Sequence, residues 1–298
     1  MARWSLALAL AAALLLVPER ALACATCGCG DPTLTVMGAE QPFAGRLRFG
    51  LQTIGWTLDA GTPSVDRLSA AELRLDLSLA YAPLPWLFVS ATMPFQAKQV
   101  TDVSLSRESA VGPGDLDLRA KAYLFRDRDF GAHHLVAGIL GVALPTSPAL
   151  RDREGVPLSH DAHLGTGSVA PLAGLSYSAF FDPLSLYASV TGALSTPGFG
   201  GIRPGAQVRS TLAGQYQLST TWGLRLAVDG RWEGAAQEPD GTQDLFGAGL
   251  LVYASPDVIF SPVTDLVLQL GVRVPFLALT AEPYRPGPIL ALGIAYDR

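Results

Sequence analysis

A period of two, sustained over segments of ten residues and more, constrains this chain more than any other feature. Between Ala71 and Tyr81, Leu73, Leu75, Leu77, Leu79 and Tyr81 share one face, and Glu72, Arg74, Asp76, Ser78 and Ala80 share the other. Successive side chains of a strand point to opposite sides, so this spacing makes one apolar and one charged surface. On a helix the same residues would scatter charge around the axis. The pattern recurs. Asp115, Asp117, Arg119 and Lys121 oppose Leu116, Leu118, Ala120 and Leu124, while Arg225, Asp229, Arg231 and Glu233 oppose Trp222, Leu224, Leu226, Val228 and Trp232. Arg46, Arg48 and Gln52 oppose Leu47, Phe49 and Leu51, and Gln269 and Arg273 oppose Leu266, Leu268, Leu270, Val272, Val274 and Phe276. Such alternation marks strands with one apolar face.

Softer versions elsewhere bring the total to about twelve strands. They fall near 44–56, 70–81, 85–97, 114–125, 133–144, 168–181, 184–195, 205–218, 221–233, 243–254, 264–276 and 287–297. These are long against a globular mean of about 5–6 residues and match the ~9–11 residues of a tilted membrane strand. The connections alternate in length. Tight ones are 82–85, 126–129, 182–183 and 219–220; long ones are 57–69, 98–113, 145–167, 196–204, 234–242 and 277–286. A further even-to-odd connection, 255–263, is expected to be longer than the other short turns. Short periplasmic turns and long outer loops are the habit of outer-membrane barrels. The fold expected is therefore all-β: a closed antiparallel transmembrane β-barrel of about twelve strands with a polar lumen, since lipid tolerates no open sheet edge.

In a barrel that faces lipid the apolar side turns outward and the polar side lines the lumen. The lumen-lining residues expected on this basis are Arg46, Arg48, Glu72, Arg74, Asp76, Asp115, Asp117, Arg119, Lys121, Arg209, Arg225, Asp229, Arg231, Glu233 and Arg273. Strand direction further predicts a gradient. Arg46, Arg48, Arg119, Lys121 and Arg225 fall toward the periplasm, and Glu72, Asp76, Asp115, Asp117 and Glu233 toward the exterior. Trp56, Tyr81, Trp86, Phe95, Tyr123, Phe125, Phe180, Phe181, Trp222, Trp232, Tyr253 and Phe276 lie near strand ends, where interfacial girdles are expected.

Of the 298 residues, 49% are hydrophobic and 16% charged, with a net charge of -5. Intrinsic disorder is excluded by the apolar content and small net charge. A nucleic-acid partner is disfavoured, because phosphate neutralisation needs a concentrated basic surface. The partners expected are the lipid bilayer of the outer membrane and a small-molecule solute. Residues 1–23 read as a secretory signal peptide: Arg3, an apolar run from Trp4 to Val17, then Ala21-Leu22-Ala23 as cleavage site. Residues 24–43 form a Cys-rich periplasmic segment, and 44–298 the barrel.

All three cysteines, Cys24, Cys27 and Cys29, lie in that segment. Lipidation of Cys24, a Cys24–Cys27 disulfide and a soft-metal site compete. Three thiolates so spaced can converge on a copper or zinc ion, with trigonal Cu(I) the better match because a fourth ligand for tetrahedral zinc is missing. Candidate catalytic residues are few. His133 and His134 are adjacent in a strand and face opposite sides. Ser159-His160 sit in the longest loop, so an outer-membrane hydrolase is one alternative, and His160, Asp161 and His163 there could close on a metal but lack a third strong ligand. A plugged structural barrel and a soluble periplasmic β binding protein are others.

Three short motifs carry a family resemblance. Gly112-Pro113-Gly114-Asp115-Leu116 opens one dyadic strand, Leu144-Pro145-Thr146-Ser147 closes another, and Gly165-Thr166-Gly167-Ser168 opens a third that runs to Gly174-Leu175-Ser176-Tyr177. Together they resemble the meta-pathway phenol-degradation family of outer-membrane proteins over about residues 40–298, with Ser147 where that family usually has glycine. The resemblance implies an outer-membrane barrel transporter that passes small molecules and has no catalytic residues.

Overall fold

A computed structural model describes residues 44–298 apart from 63, 64, 66, 129, 130 and 246. The signal peptide and the three cysteines expected from the sequence lie outside the described residues. Twelve antiparallel strands form the wall: β1 (Leu47–Ala60), β2 (Leu68–Leu84), β3 (Leu87–Thr101), β4 (Arg107–Pro113 and Leu116–Arg126), β5 (His134–Leu144), β6 (Ala170–Phe181), β7 (Leu184–Ala193), β8 (Gln207–Gln217), β9 (Trp222–Glu233), β10 (Gly249–Val263), β11 (Leu266–Thr280) and β12 (Tyr284–Pro286 and Ile289–Asp297). Each pairs with its sequence neighbour, and β1 pairs with both β2 and β12, so the sheet closes on itself. Arg48 opposes Asp297 and Gly55 opposes Leu290 across that closure. Two strands are interrupted. β4 breaks at Gly114-Asp115, and β12 at Gly287-Pro288, where Pro has no N–H to give the ladder.

The pleat sorts the side chains as the dyadic pattern requires. Leu73, Leu77, Leu79, Leu212, Leu224, Leu226, Leu270, Leu290 and Leu292 are exposed on the outside, whereas Arg48, Glu72, Arg74, Lys121, Asp229, Arg231, Glu233 and Arg273 are buried. This is the inverse of a soluble protein, in which exposed apolar surface and buried charge are both unfavourable. Bilayer hydrocarbon removes the first cost, and charge pairing inside reduces the second.

The structure departs from the sequence expectation at three places. First, β10 runs unbroken through Ser255-Pro256-Asp257, which read as a connection, and begins at Gly249 rather than 243. Gln243–Asp244 instead pairs with Ala236–Gln237 in a small hairpin separate from the barrel sheet. Pro256 stays in register opposite Leu226, while the ladder to β11 steps from Ala254 to Asp257, as expected around a residue without a donor. The turn after β10 is thereby as short as its counterparts. Second, β1, β3, β4 and β11 extend well into the connections expected at 57–69, 98–113 and 277–286. The extended connections that remain at that end are 145–169, 194–206 and 234–248.

Third, the girdle is denser at one end, with Phe276 exposed and Trp232 outward at the other. Phe49, Tyr81, Trp86, Phe125, Tyr177, Phe181, Tyr216, Trp222 and Tyr296 are exposed around the end with short turns, the periplasmic end in such barrels. Trp222 packs tilted against Phe260 there at 4.4 Å between ring centroids. Trp56, Tyr123, Phe180 and Tyr253, expected in a girdle, turn inward instead. Tyr253 is buried, Trp56 packs on an inner apolar cluster, Phe180 lines the central cavity, and Tyr123 meets Phe88 and the Lys121 ammonium. Their parity along the strand decides this, because register leaves a strand residue no choice of face.

Candidate functional site

The barrel interior has three levels. At the periplasmic end Asp297 on β12 bridges β1: Arg46 Nη2 donates to it at 2.6 Å, Arg48 Nε at 2.6 Å and Arg48 Nη2 at 2.8 Å. Ile259 and Val267 fill space beside the closure. The middle level is polar. Arg74 Nε lies 2.9 Å from Asp76 Oδ1, and Arg119 Nε 2.6 Å from Asp117 Oδ1, each pair on one face of one strand. Arg225 Nη2 lies 2.8 Å from Asp257 Oδ2, to which Gln269 also donates at 2.9 Å through Oδ1. Asp229 accepts the Thr211 hydroxyl at 2.7 Å and the Ser255 hydroxyl at 2.6 Å. Lys121 is buried between the Tyr123 and Tyr187 rings. Nearer the extracellular end, in register with Leu251 and Gly249, Arg231 bonds Glu233 two residues along.

These groups surround a cavity of about 440 Å³. Arg48, Arg74, Asp76, Asp115, Asp117, Arg119, Lys121, Arg209, Arg225, Asp229 and Arg273, all named from the sequence, line it. Arg46, Glu72, Arg231 and Glu233 are buried but do not border it. Both Glu72 carboxylate oxygens are without a hydrogen-bond partner among the described residues. The cavity wall is uneven. Charge gathers on β1, β2, β4, β9 and β11, while Ser185, Ser189, Thr191, Ser210 and Thr211, beside Arg209, give β7 and β8 a mainly hydroxyl surface. Arg46 and Arg48 lie toward the end with short turns and Glu72 and Glu233 toward the other, and along that axis opposite charges also pair at one level, as Arg46 and Arg48 do with Asp297. Unpaired charges in a low-dielectric interior are too costly to leave segregated. Sequence reasoning missed Asp257 and Asp297. Asp257 followed a proline read as a turn, and Asp297 is next to the last residue; both share the inward parity of their strands.

The extracellular level holds an apolar cluster, at the height of which Glu72, Arg231 and Glu233 are also buried. Ile54, Leu58, Ala60, Ala70, Val100, Leu251, Tyr253, Tyr284 and Ile289 point into the barrel and pack together with Ala162. Ala162 belongs to a 3-10 turn, His160–Ala162, in the long connection between β5 and β6, which folds inward to meet the wall. Leu164 in the same segment is also buried. Ser159 and His160 do not form a nucleophile–base pair here. The Ser159 hydroxyl donates to Glu108 Oε2, and His163 Nδ1 lies 2.9 Å from the Ser159 carbonyl. Among the described residues no cluster of three or more His, Cys, Asp or Glu side chains is placed to hold a metal.

Burial holds the His160 imidazole below the ordinary histidine value of 6.5, reinforced by Lys98 and His163 and opposed by Asp161 and Asp244. A lowered pKa means the packed turn keeps His160 neutral. Its contribution is present above the unfolded value and lost as pH falls below it. Amide exchange across 158–164, corrected for intrinsic rates, is therefore expected to accelerate between about pH 7 and about pH 5, and to lose that dependence in His160→Asn. Equal protection at both pH values in the unsubstituted protein would contradict this reading.

A closed antiparallel barrel with an apolar outer wall and a charged interior is a transmembrane β-barrel of the outer-membrane type. Comparison with solved structures agrees. An outer-membrane channel from Pseudomonas putida F1 matches with a TM-score of 0.69 at 15% identity, over 88% of this chain and 98% of that one. The translocator domain of the autotransporter NalP from Neisseria meningitidis matches with a TM-score of 0.50 at 9% identity, over 87% and 90% of the two chains. No family model matches the chain, and no curated protein does. The motif resemblance and the first of these neighbours point to the same architecture, an outer-membrane β-barrel.

Proposed function

We propose that the protein is a passive channel for small polar solutes across the outer membrane, with the inward-facing ionisable residues named from the sequence lining its path. The observation that carries this is the cavity of about 440 Å³, ringed by paired charges and hydroxyls inside a wall that is apolar on the outside. A solute stripped of bulk water there meets donors and acceptors on every side, and low-dielectric walls strengthen each contact. A twelve-stranded barrel is intermediate between a filled eight-stranded one and an open porin, so its conductance should be small. The solved channel of similar fold supports the same reading.

Planar-bilayer recording tests it. Purified barrel that shows heat-modifiable migration is expected to give discrete, rectifying currents, because the charged residues are distributed unevenly along the lumen. Lys121→Gln should alter the ion preference, since its ammonium borders the cavity. Folded protein that carries no current in either orientation would refute the channel. For the segment ahead of the barrel, we propose a soft-metal site at Cys24, Cys27 and Cys29, supported by thiol spacing. Intact mass of the N-terminal peptide tests that site. A diacylglyceryl adduct on Cys24, or a two-hydrogen loss with no metal uptake after reduction, would refute it.

A further inference from the structure

The three motifs that carried the sequence resemblance lie far apart in the chain and meet at one carboxylate. Asp115 Oδ1 accepts the Ser147 N–H at 3.1 Å, and Oδ2 accepts the Thr166 N–H at 2.7 Å and the Thr166 hydroxyl at 3.2 Å. Beside it the Thr146 hydroxyl donates to the Gly114 carbonyl at 3.0 Å and accepts the Leu116 N–H at 2.9 Å. Gly165 lies so close that a Cβ there would collide with the Asp115 carboxylate. The Thr166 carbonyl in turn accepts the Phe199 N–H at 3.0 Å, which braces the next connection against the same point.

Both ends of the inward-folded segment are thus tied to one place on β4, at the break between its two halves. Between the ties, Ala162 joins the apolar cluster, and Leu164, Gly165 and Thr166 border the central cavity together with Asp115. We propose that Asp115 is a positioning residue that latches the 147–166 segment as the roof of the cavity and so sets the largest solute that passes. The proposal rests on the channel reading above. Hydrogen bonds to a carboxylate are shorter and stronger than neutral ones, which suits a single side chain to hold two chain segments.

The test uses the full chain with Cys24, Cys27 and Cys29 replaced by serine and Leu164→Cys as a reporter. Three latch variants are compared: Asp115→Ala, and the charge-neutral Gly165→Val and Thr146→Val. Each is first checked for heat-modifiable migration. Labelling of the reporter by a membrane-impermeant maleimide is expected to speed up at least about tenfold in Asp115→Ala, the scale of losing hydrogen bonds to a charged group, and at least about threefold in Gly165→Val and Thr146→Val. Liposome swelling with a pentose, a disaccharide and a trisaccharide is expected to show the size limit moving upward in all three. If passage changes in Asp115→Ala alone while labelling stays slow, lumen charge is responsible and the latch is overturned. Faster labelling with an unchanged size limit overturns the claim that the roof sets the limit. Faster labelling with no passage of any sugar in any form overturns the channel reading and the size limit with it, and leaves the latch standing.

Discussion

Leu77→Arg is expected to lower the unfolding free energy of the barrel by about 2–4 kcal/mol, the cost of an arginine on the lipid face near the bilayer midplane. Leu77 sits near the middle of β2 with its side chain exposed on the outside, paired with Leu51 on β1 and Met93 on β3. The matched control is Thr92→Arg. Thr92 adjoins Met93 on β3 at the same height, but it lines the cavity and lies in register with Asp117. An arginine there meets water and a carboxylate, so the change should stay within about 1 kcal/mol. Denaturant titration in lipid vesicles, followed by tryptophan fluorescence, reads both. Similar midpoints for the two variants would mean that inside and outside are misassigned.

Asp297→Ala should have an effect of comparable size for a different reason. Asp297 accepts hydrogen bonds from both Arg46 and Arg48, and all three side chains are largely buried. Removing it strips two guanidinium groups of a charged partner in the seam where the last strand meets the first. Breaking a buried ion pair from one side costs about 3–5 kcal/mol, and partial wetting of this barrel mouth places the expected loss near the lower value, about 3 kcal/mol. Replacing Arg46, Arg48 and Asp297 together by leucine should recover part of the loss, because no lone charge then remains buried. The same vesicle assay, with unheated electrophoretic migration as a check on closure, decides it. An Asp297→Ala midpoint equal to that of the unsubstituted protein would show that closure rests on the ladder from Arg48–Asp297 to Gly55–Leu290 alone.

Much of the wall was legible because a strand has only two faces. Once Leu73 through Tyr81 alternated with Glu72 through Ala80, one set had to meet lipid and the other the lumen. Parity also turns Arg119, Lys121 and Arg225 inward, because a one-residue slip would put every leucine of those strands into the lumen. The same rule, applied to Trp56, Tyr123, Phe180 and Tyr253, would have turned them inward. Expecting a girdle there let a general preference of aromatics for interfaces override a strict geometric period. Pro256 misled in a similar way. Proline weakens a strand locally, and neighbouring ladders on both sides kept β10 in place.

By itself the sequence determined the strand count, the face each side chain takes and the charged character of the interior, since these follow from a local period of two and from the solvation cost of charge in lipid. Only the tertiary structure decided which charges pair, where the cavity lies and what closes it. Arg225 and Asp257 are 32 residues apart, and Arg46 and Asp297 are 251 apart, so no spacing rule connects them. Asp115 could be read as one more lumen charge. Its partners at Ser147 and Thr166 appear only when a segment without regular alternation folds back into the barrel. Closure brings distant strands to one height and one face, and side-chain hydrogen bonds then form by proximity in space, which a one-dimensional pattern does not encode.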